Sequence, residues 1–500
     1  MRRAQRIGAV YDIKDVDRLQ LGGLRNSFTN GYRFMLRFID PSRQSGVGLR
    51  RDFLRIGGFG LGSGLMGLPG LGTALGALEK SSLRDKSVVF LFMHGGPSQF
   101  ETFDPKMDAP SSIRSATGEI STSIPGVTFG STFGKLAERA DRFSVVRSFV
   151  TGDGKHDIKP VMSKDTLNAN LGSLYSRVAG PLRTKTAMPT NVALFPQSVA
   201  ADAGPAITSF GNFEASGEFG SAFAPFVPGA GGGLEQDMQL NLPQRRLEDR
   251  RTLLAQIDSW KRSAEAEAAI SSTRALEQLA FDTLLTGVVD AFDLKQESPQ
   301  VIESYDTQSR FNPDRINAKW KNHRHYVDHG VSIGKLLLLA RRLCERGCGF
   351  VTVTTSFVWD MHADVNNATM TEGMDYVGAP FDHAVSAFID DIESRGLRDK
   401  ILLVCCGEMG RTPVINRNGG RDHWGNLAPL MLYGGGLKAG HVIGSSTRDG
   451  GEPASDKVTI HDLLATIMHS LLDIDQVRLT SGLPRSLLDV VARGTPIRGL

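Results

Sequence analysis

The sequence predicts an α/β protein: a doubly wound, mostly parallel sheet with helices on both faces, plus an irregular and partly helical insertion. Three observations lead there. Short apolar runs recur along the chain, each the length of a buried strand, with stretches of helical periodicity between them. Carboxylate, imidazole and guanidinium residues gather just after several of these runs, where open α/β sheets place their chemistry. A chain of 500 residues, 40% hydrophobic and 22% charged, can bury one large core or two moderate ones, so it is neither fibrous nor broadly disordered.

The elements follow in order. Residues 87–93 (Ser-Val-Val-Phe-Leu-Phe-Met) read as a fully buried first strand. It ends in His94-Gly95-Gly96-Pro97-Ser98, a turn whose glycines let backbone pass close to a ligand. A helix is expected over 135–140 and a second strand over 143–147. A polar loop over 151–165 carries His156 and Asp157, and a short third strand covers 191–195. Residues 198–237, rich in Gly, Ala, Ser and Phe, read as an irregular excursion over the sheet edge that could cover a site. Residues 244–286, dense in Arg, Glu, Leu and Ala, read as two amphipathic helices. The insertion as a whole spans about 198–330.

A Leu-rich helix is expected over 331–344, with His323, His325 and His329 ahead of it reading as a solvated helix face. Strands follow at 350–354, 401–406 and 428–433, with a helix over 381–395 between the first two. Gly434-Gly435-Gly436 turns the chain and a helix over 461–472 closes it. The sequence contains no internal repeat. The four cysteines, Cys344, Cys348, Cys405 and Cys406, include no Cys-x-x-Cys and read as buried packing thiols.

The formal charge of +3 conceals an asymmetry, because residues 1–77 hold 12 Lys+Arg against 5 Asp+Glu. The remainder is mildly acidic and presents no basic stripe to neutralise phosphates, which argues against a nucleic-acid partner. Within the basic segment, Arg50-Arg51-Asp52-Phe53-Leu54-Arg55 resembles the twin-arginine translocation signal, with Arg50 and Arg51 as the paired arginines. The uncharged 22 residues behind it contain 9 glycines, too many for a stable membrane span. Small residues at 73–77 suit signal cleavage. The expected layout is an N-terminal extension and signal over 1–77 (signal 49–77) and one domain over 78–500. The partner implied is the twin-arginine machinery, the location periplasmic or secreted, with no stable membrane span after signal removal. The 49 residues ahead of Arg50 are long for such a signal, and Met35 is an internal candidate start.

Two clusters carry the chemistry. Trp359-Asp360-Met361-His362 follows the strand at 350–354. Gly407-Glu408-Met409-Gly410-Arg411-Thr412-Pro413 and Gly420-Arg421-Asp422-His423-Trp424 follow the strand at 401–406. Together with the first-strand turn, these motifs resemble the DUF1501 family of planctomycete-type proteins, within the alkaline phosphatase/sulfatase-like superfamily. The resemblance runs from about residue 49 to 490. It implies an alkaline phosphatase-like fold and a divalent metal ion, zinc, manganese or calcium, that activates a nucleophile and holds a phosphate or sulfate ester.

By position, the resemblance implies Asp360, His362 and His423 as ligands of one metal, with Asp422 beside them and Glu408 toward a second. Arg411 and Arg421 would pair with a tetrahedral anion, with His94 and Ser98 on the same anion-binding side. Glu408, Arg411 and His156 are the catalytic candidates, and Ser148, Thr151 and His156 the candidates for the nucleophile region. The chain departs from the superfamily pattern at His94-Gly95-Gly96, where a metal-binding Asp is usual, and at Glu408-Met409, where an Asp-His pair is usual. No Cys-x-Pro-x-Arg or Ser-x-Pro-x-Arg is present, which argues against a formylglycine sulfatase. The expected activity is an exported, metal-dependent hydrolase of phosphate or sulfate esters. The alternative is a scaffold of the same fold acting in extracytoplasmic binding or assembly. Glu408 with Arg411 could then be a turn-fixing salt bridge, and Asp422 with His423 a structural pair.

Overall fold

Uninterrupted apolar runs become strands buried on both faces, and the computed structural model, which describes residues 82–229, 288–309 and 311–500, shows where they pair. In chain order the sheet strands are β1 (Ser87–Phe92), β2 (Ser144–Val146), β3 (Asn191–Leu194), β4 (Phe350–Thr354), β5 (Ile401–Cys406), β6 (Leu430–Gly434) and β7 (Val442–Ile443). Their spatial order is β7-β2-β6-β5-β1-β4-β3. Strand β1 lies parallel to both β4 and β5, with Phe90 opposite Thr352 on one side and Val404 on the other. β3 is parallel to β4 and β7 to β2, whereas β6 runs antiparallel to both β5 and β2. The sheet is therefore mainly parallel, with β6 alone reversed. The six expected strands all form. β7 is only two residues long, too short to show any alternation in the sequence.

The pleat sends alternate side chains to opposite faces. Val89 and Leu91 of β1 join one buried cluster, and Val88, Phe90 and Phe92 join the other. The helices are α1 (Gly134–Glu138), α2 (Leu171–Ala179), α3 (His323–Glu345), α4 (Ala379–Ser394) and α5 (Ile460–Leu471). α3 and α4 cover the Val89 face, through residues such as Leu336, Leu339, Phe388 and Ile392. α2 and α5 cover the other face, through Leu174, Leu463 and Ile467. Helices on both faces of a mainly parallel sheet are the architecture the sequence predicts. Helix starts are set by side-chain acceptors. Asn170 Oδ1 accepts from Gly172 N at the start of α2 (2.8 Å), and Asp462 Oδ2 accepts from Thr459 N ahead of α5 (2.9 Å).

Two local expectations need correction. α3 begins at His323, so the histidine segment is its first turns and not a separate solvated face. His323 is exposed, but His329 is fully buried and its Nε2 donates to the Val377 carbonyl at 3.0 Å. The buried stripe of α3 simply extends further toward its start than the Leu-rich run reveals. α3 and α4 are joined by a buried charge cluster. Arg341, with no exposed surface, bonds Glu297 and Asp391 at 2.8 Å each and Glu345 at 2.7 Å, and Arg395 reaches Asp391 at 2.7 Å.

The excursion after β3 is irregular over 198–229, as expected, with only short 3-10 turns. It returns to the sheet edge, where Phe226 N donates to Asn191 O and Phe226 O accepts from Ala193 N, both at 2.9 Å. That contact covers the open side of β3. All four cysteines are free and buried, and burial pushes their thiols above the ordinary range, Cys348 to about 12. Among the described residues, no helix is long and apolar enough to cross a membrane. The expected signal with Arg50 and Arg51, the candidate start at Met35 and the helices over 244–286 lie outside the described residues.

Candidate metal centre

The carboxyl ends of the three central strands β1, β4 and β5 meet at one place. The β1 turn presses against the β4 turn so closely that a Cβ on Gly95 would lie 2.6 Å from Asp360 N. The same residue adopts φ +115°, so glycine is required on both counts. Gly95 N–H donates to Glu408 Oε1 at 2.9 Å and approaches Oε2 at 3.2 Å. On the other side, the Gly95 carbonyl accepts from Arg411 Nη2 and the Gly96 carbonyl accepts from Arg411 Nε at 2.7 Å. The first-strand turn is thus held between the carboxylate and the guanidinium of one motif. Arg411 itself lies on a two-residue ribbon, Gly410–Arg411, paired antiparallel with His423–Trp424 so that His423 sits opposite Arg411. Gln99 pins this ribbon, donating to Arg411 O at 2.9 Å and accepting from Arg411 N at 3.0 Å.

Four side chains converge there. His156, Asp360, His362 and His423 each offer one ligand atom, all within 4.8 Å of one another. Asp360 Oδ1 is the hub, at 2.9 Å from His362 Nε2, 3.3 Å from His156 Nε2 and 3.4 Å from His423 Nε2. His362 Nε2 and His423 Nε2 are 2.7 Å apart. The far nitrogens of two of these rings are occupied by carboxylates. His156 Nδ1 is 3.0 Å from Glu408 Oε1, and His362 Nδ1 is 3.2 Å from Asp422 Oδ1. A ring that donates through Nδ1 presents a lone pair at Nε2, so the network assigns acceptor nitrogens facing a carboxylate oxygen. Acceptors brought this close require a proton or a cation between them.

The electrostatics agree. Burial alone would raise the Asp360 carboxyl, but the Arg411 guanidinium and then the three imidazoles hold it well below the usual carboxylate range. Burial works to lower His156, yet hydrogen bonds to Asp360 and Glu408 raise it above the ordinary imidazole value. Burial lowers His423. The donor set therefore fits a divalent metal ion. Three imidazole nitrogens and a carboxylate oxygen are the ligands zinc-class ions take, and a tetrahedral site with bonds near 2.0–2.1 Å has ligand–ligand edges of roughly 3.3 Å. The separations from Asp360 Oδ1 to His156 and His423, 3.3 and 3.4 Å, lie at that edge, whereas His362 Nε2, at 2.9 Å from Asp360 Oδ1 and 2.7 Å from His423 Nε2, has to draw back by a few tenths of an ångström to admit the ion.

The sequence-nominated residues divide. Asp360, His362 and His423 are brought together, and His156 joins them as a fourth donor. Its place in a polar loop gave no spacing signal to group it with the others. Glu408 and Asp422 stand one layer out and orient rings. Glu408 is fully buried, and the Asp422 side chain is 63% exposed. Arg411 touches the centre, with Nη2 at 2.7 Å from Asp360 Oδ1, but has no exposed surface.

The anion-binding expectation for Arg421 and Ser98 does not fit their surroundings. Arg421 is buried against Glu101 at 3.1 Å, stacks 4.2 Å over the Phe100 ring and donates to the carbonyls of Pro413, Ile113 and Arg114. Ser98 Oγ donates to Glu101 Oε2. His94 is enclosed by Phe92, Phe210, Phe213 and Phe357, and burial lowers it to about 4. Of the nucleophile candidates, Ser148 Oγ donates to Asp456 O and Thr151 Oγ1 to Gly425 O, leaving only His156 in the centre. Trp359 is a core residue, packed edge-on to Phe381. Phe210, carried by the excursion, lies 5.0 Å from the His156 ring and stacks 4.7 Å from Phe357, so the excursion does cover one side of the site. A separate cavity of about 310 Å³, lined by Asp202, Arg324, Asp328 and Lys335 among others, shares no residue with the centre.

A family model described as "Protein of unknown function (DUF1501)" matches residues 85–499. A search of curated proteins found no matching relative. Similar solved structures include the lipoteichoic acid synthase LtaP from Listeria monocytogenes, at 7% identity and TM-score 0.34, covering 84% of this chain and 81% of that one. The PsFucS1 sulfatase from Pseudoalteromonas sp. is 12% identical at TM-score 0.30, covering 83% and 74%. The phosphonate monoester hydrolase SpPMH from Silicibacter pomeroyi is 12% identical at TM-score 0.30, covering 77% and 73%.

Proposed function

The chain belongs to the DUF1501 family, and from that premise we propose that it is an exported, metal-dependent hydrolase of phosphate or sulfate esters that works without formylglycine. The observation that carries the reading is the set of three imidazole Nε2 atoms and Asp360 Oδ1 converging past the carboxyl ends of the strands. His156, Asp360, His362 and His423 would hold the ion. A divalent cation in such a site supplies Lewis acidity, polarising an ester oxygen and activating water at neutral pH.

The chain's own residues do the rest. Glu408 fixes the tautomer of His156 and Asp422 that of His362, so both rings present lone pairs without reorganising. Arg411 holds the β1 turn and the Asp360 carboxylate in register. His362 and His423, 20% and 30% exposed, form the open side through which an ester would approach. Phe210 and Phe357 form an apolar wall beside His156, limiting water on that side.

A second reading, a binding or assembly scaffold, is favoured by one observation. Both arginines expected to grip an anion are fully buried and committed to internal partners, while Asp422 stands exposed at the edge of the centre. The deciding experiment is elemental analysis of exported protein combined with assays on aryl phosphate and aryl sulfate esters. Bound metal with ester cleavage that disappears on chelation supports the hydrolase. Bound metal with no cleavage of either ester class supports the scaffold.

A further inference from the structure

The donors at this centre differ in kind from those a pair of hard cations would need, and the carboxylate oxygens a second ion would draw on already have partners. Calcium and magnesium take six to eight, or six, mostly oxygen ligands. Here a single carboxylate oxygen, Asp360 Oδ1, faces three imidazole nitrogens. The remaining oxygens nearby are engaged. Both Glu408 oxygens accept from Gly95 N–H, and Oε1 also meets His156 Nδ1. Asp360 Oδ2 accepts from Asn367 Nδ2 at 3.0 Å. Asp422 Oδ1 lies between His362 Nδ1 and Asn416 Nδ2, at 3.2 and 3.3 Å. Among the described residues, this is the one group of three or more such side chains whose donor atoms converge.

The guanidinium of Arg411 lies directly against the donor set. Nη2 is 2.7 Å from Asp360 Oδ1 and Nη1 is 3.3 Å from His362 Nε2. It is locked there by the Gly95, Gly96 and Arg421 carbonyls. A fixed positive charge in contact with two members of the donor set repels a second cation from the same carboxylate.

Resting on the reading of these residues as a metal centre, we infer that the site is mononuclear and selects a nitrogen-preferring transition ion of the zinc or cobalt(II) class. Arg411 takes the place of a second cation, and Glu408 acts as a positioning residue outside the ligand set.

The test uses the full chain, stripped with a chelator, re-equilibrated separately with zinc, cobalt(II), calcium or magnesium, and freed of unbound metal. One equivalent of zinc or cobalt(II) is expected, with a cobalt visible spectrum characteristic of four-coordinate nitrogen-rich sites. A roughly hundredfold excess of calcium or magnesium should leave it in place. Glu408→Gln, which keeps a hydrogen bond toward Gly95, should retain one equivalent with affinity lower by about 10- to 100-fold. His156→Ala should lose stoichiometric binding. Two equivalents in the wild type falling to one in Glu408→Gln overturn the inference, as does displacement of zinc by calcium or the absence of any bound metal. One tightly held equivalent with no ester cleaved leaves the inference standing and sinks the hydrolase reading alone.

Discussion

Asp360 is the residue on which the site turns, because one of its oxygens meets an arginine and three histidines. Removing any one imidazole should therefore have a common signature. His362→Ala and His423→Ala are each expected to lower zinc affinity by about 100-fold or more while leaving the circular dichroism spectrum unchanged, because both rings are partly exposed and outside the hydrophobic core. Isothermal titration of stripped protein checks this, and wild-type affinity in either variant would refute the ligand set. Arg421 behaves differently. Replacing it by Ala removes the cation facing Glu101, a carboxyl with no exposed surface that keeps only hydrogen bonds from Ser98 and Ala116, which should cost about 3–5 kcal/mol in urea unfolding. Asp360, His362 and His423 were legible through motifs, placed past apolar runs, that resemble those of a known family. The sequence could not separate Arg411 from Arg421 by role, since both are buried and only their long-range partners, Asp360 for one and Glu101 for the other, distinguish them. His156 was legible as a polar loop residue but not as a ligand, because nothing local tells where a loop's tip lands.

Between elements, the decisive contact is the charge cluster joining α3 to α4. Hydrogen bonding to Arg341, then its charge and that of Arg342, depress the Glu297 carboxyl to about 2, against burial that works to raise it. A depressed folded-state value means the unfolded chain binds the proton first as pH falls. The stabilisation is complete above pH 4.5 and is lost as pH drops toward 2. About 2 kcal/mol is expected, discounted for partial solvent screening. Melting temperatures of wild type and Glu297→Gln across that window provide the check, and parallel curves would refute the coupling. The helices themselves were readable from periodicity. The early start of α3 was not, because its first turns carry polar residues that are buried by contact with α4 and its lead-in, as His329 is against Val377.

For the whole molecule, the mainly parallel sheet was legible because six of its strands are apolar runs at separated positions, and parallel pairing demands such separations. The strand order was not, since the reversal at β6 depends on long-range pairing. Export is the prediction that belongs to this scale. On the proposed export reading the paired guanidinium groups are the address, so Arg50→Lys with Arg51→Lys is expected to hold folded protein in the cytoplasm. Cell fractionation reads it directly, and full export of the double variant would defeat the assignment.

The central position of β1 also sets a timetable for biosynthesis. This largely apolar strand emerges early, yet both of its neighbours, β4 and β5, lie far downstream in the chain. At typical translation speeds that delay is on the order of tens of seconds, during which a largely apolar segment lacks its native sheet neighbours. The nascent chain must be shielded while it waits, and the centre sheet can close only once β5 has left the ribosome.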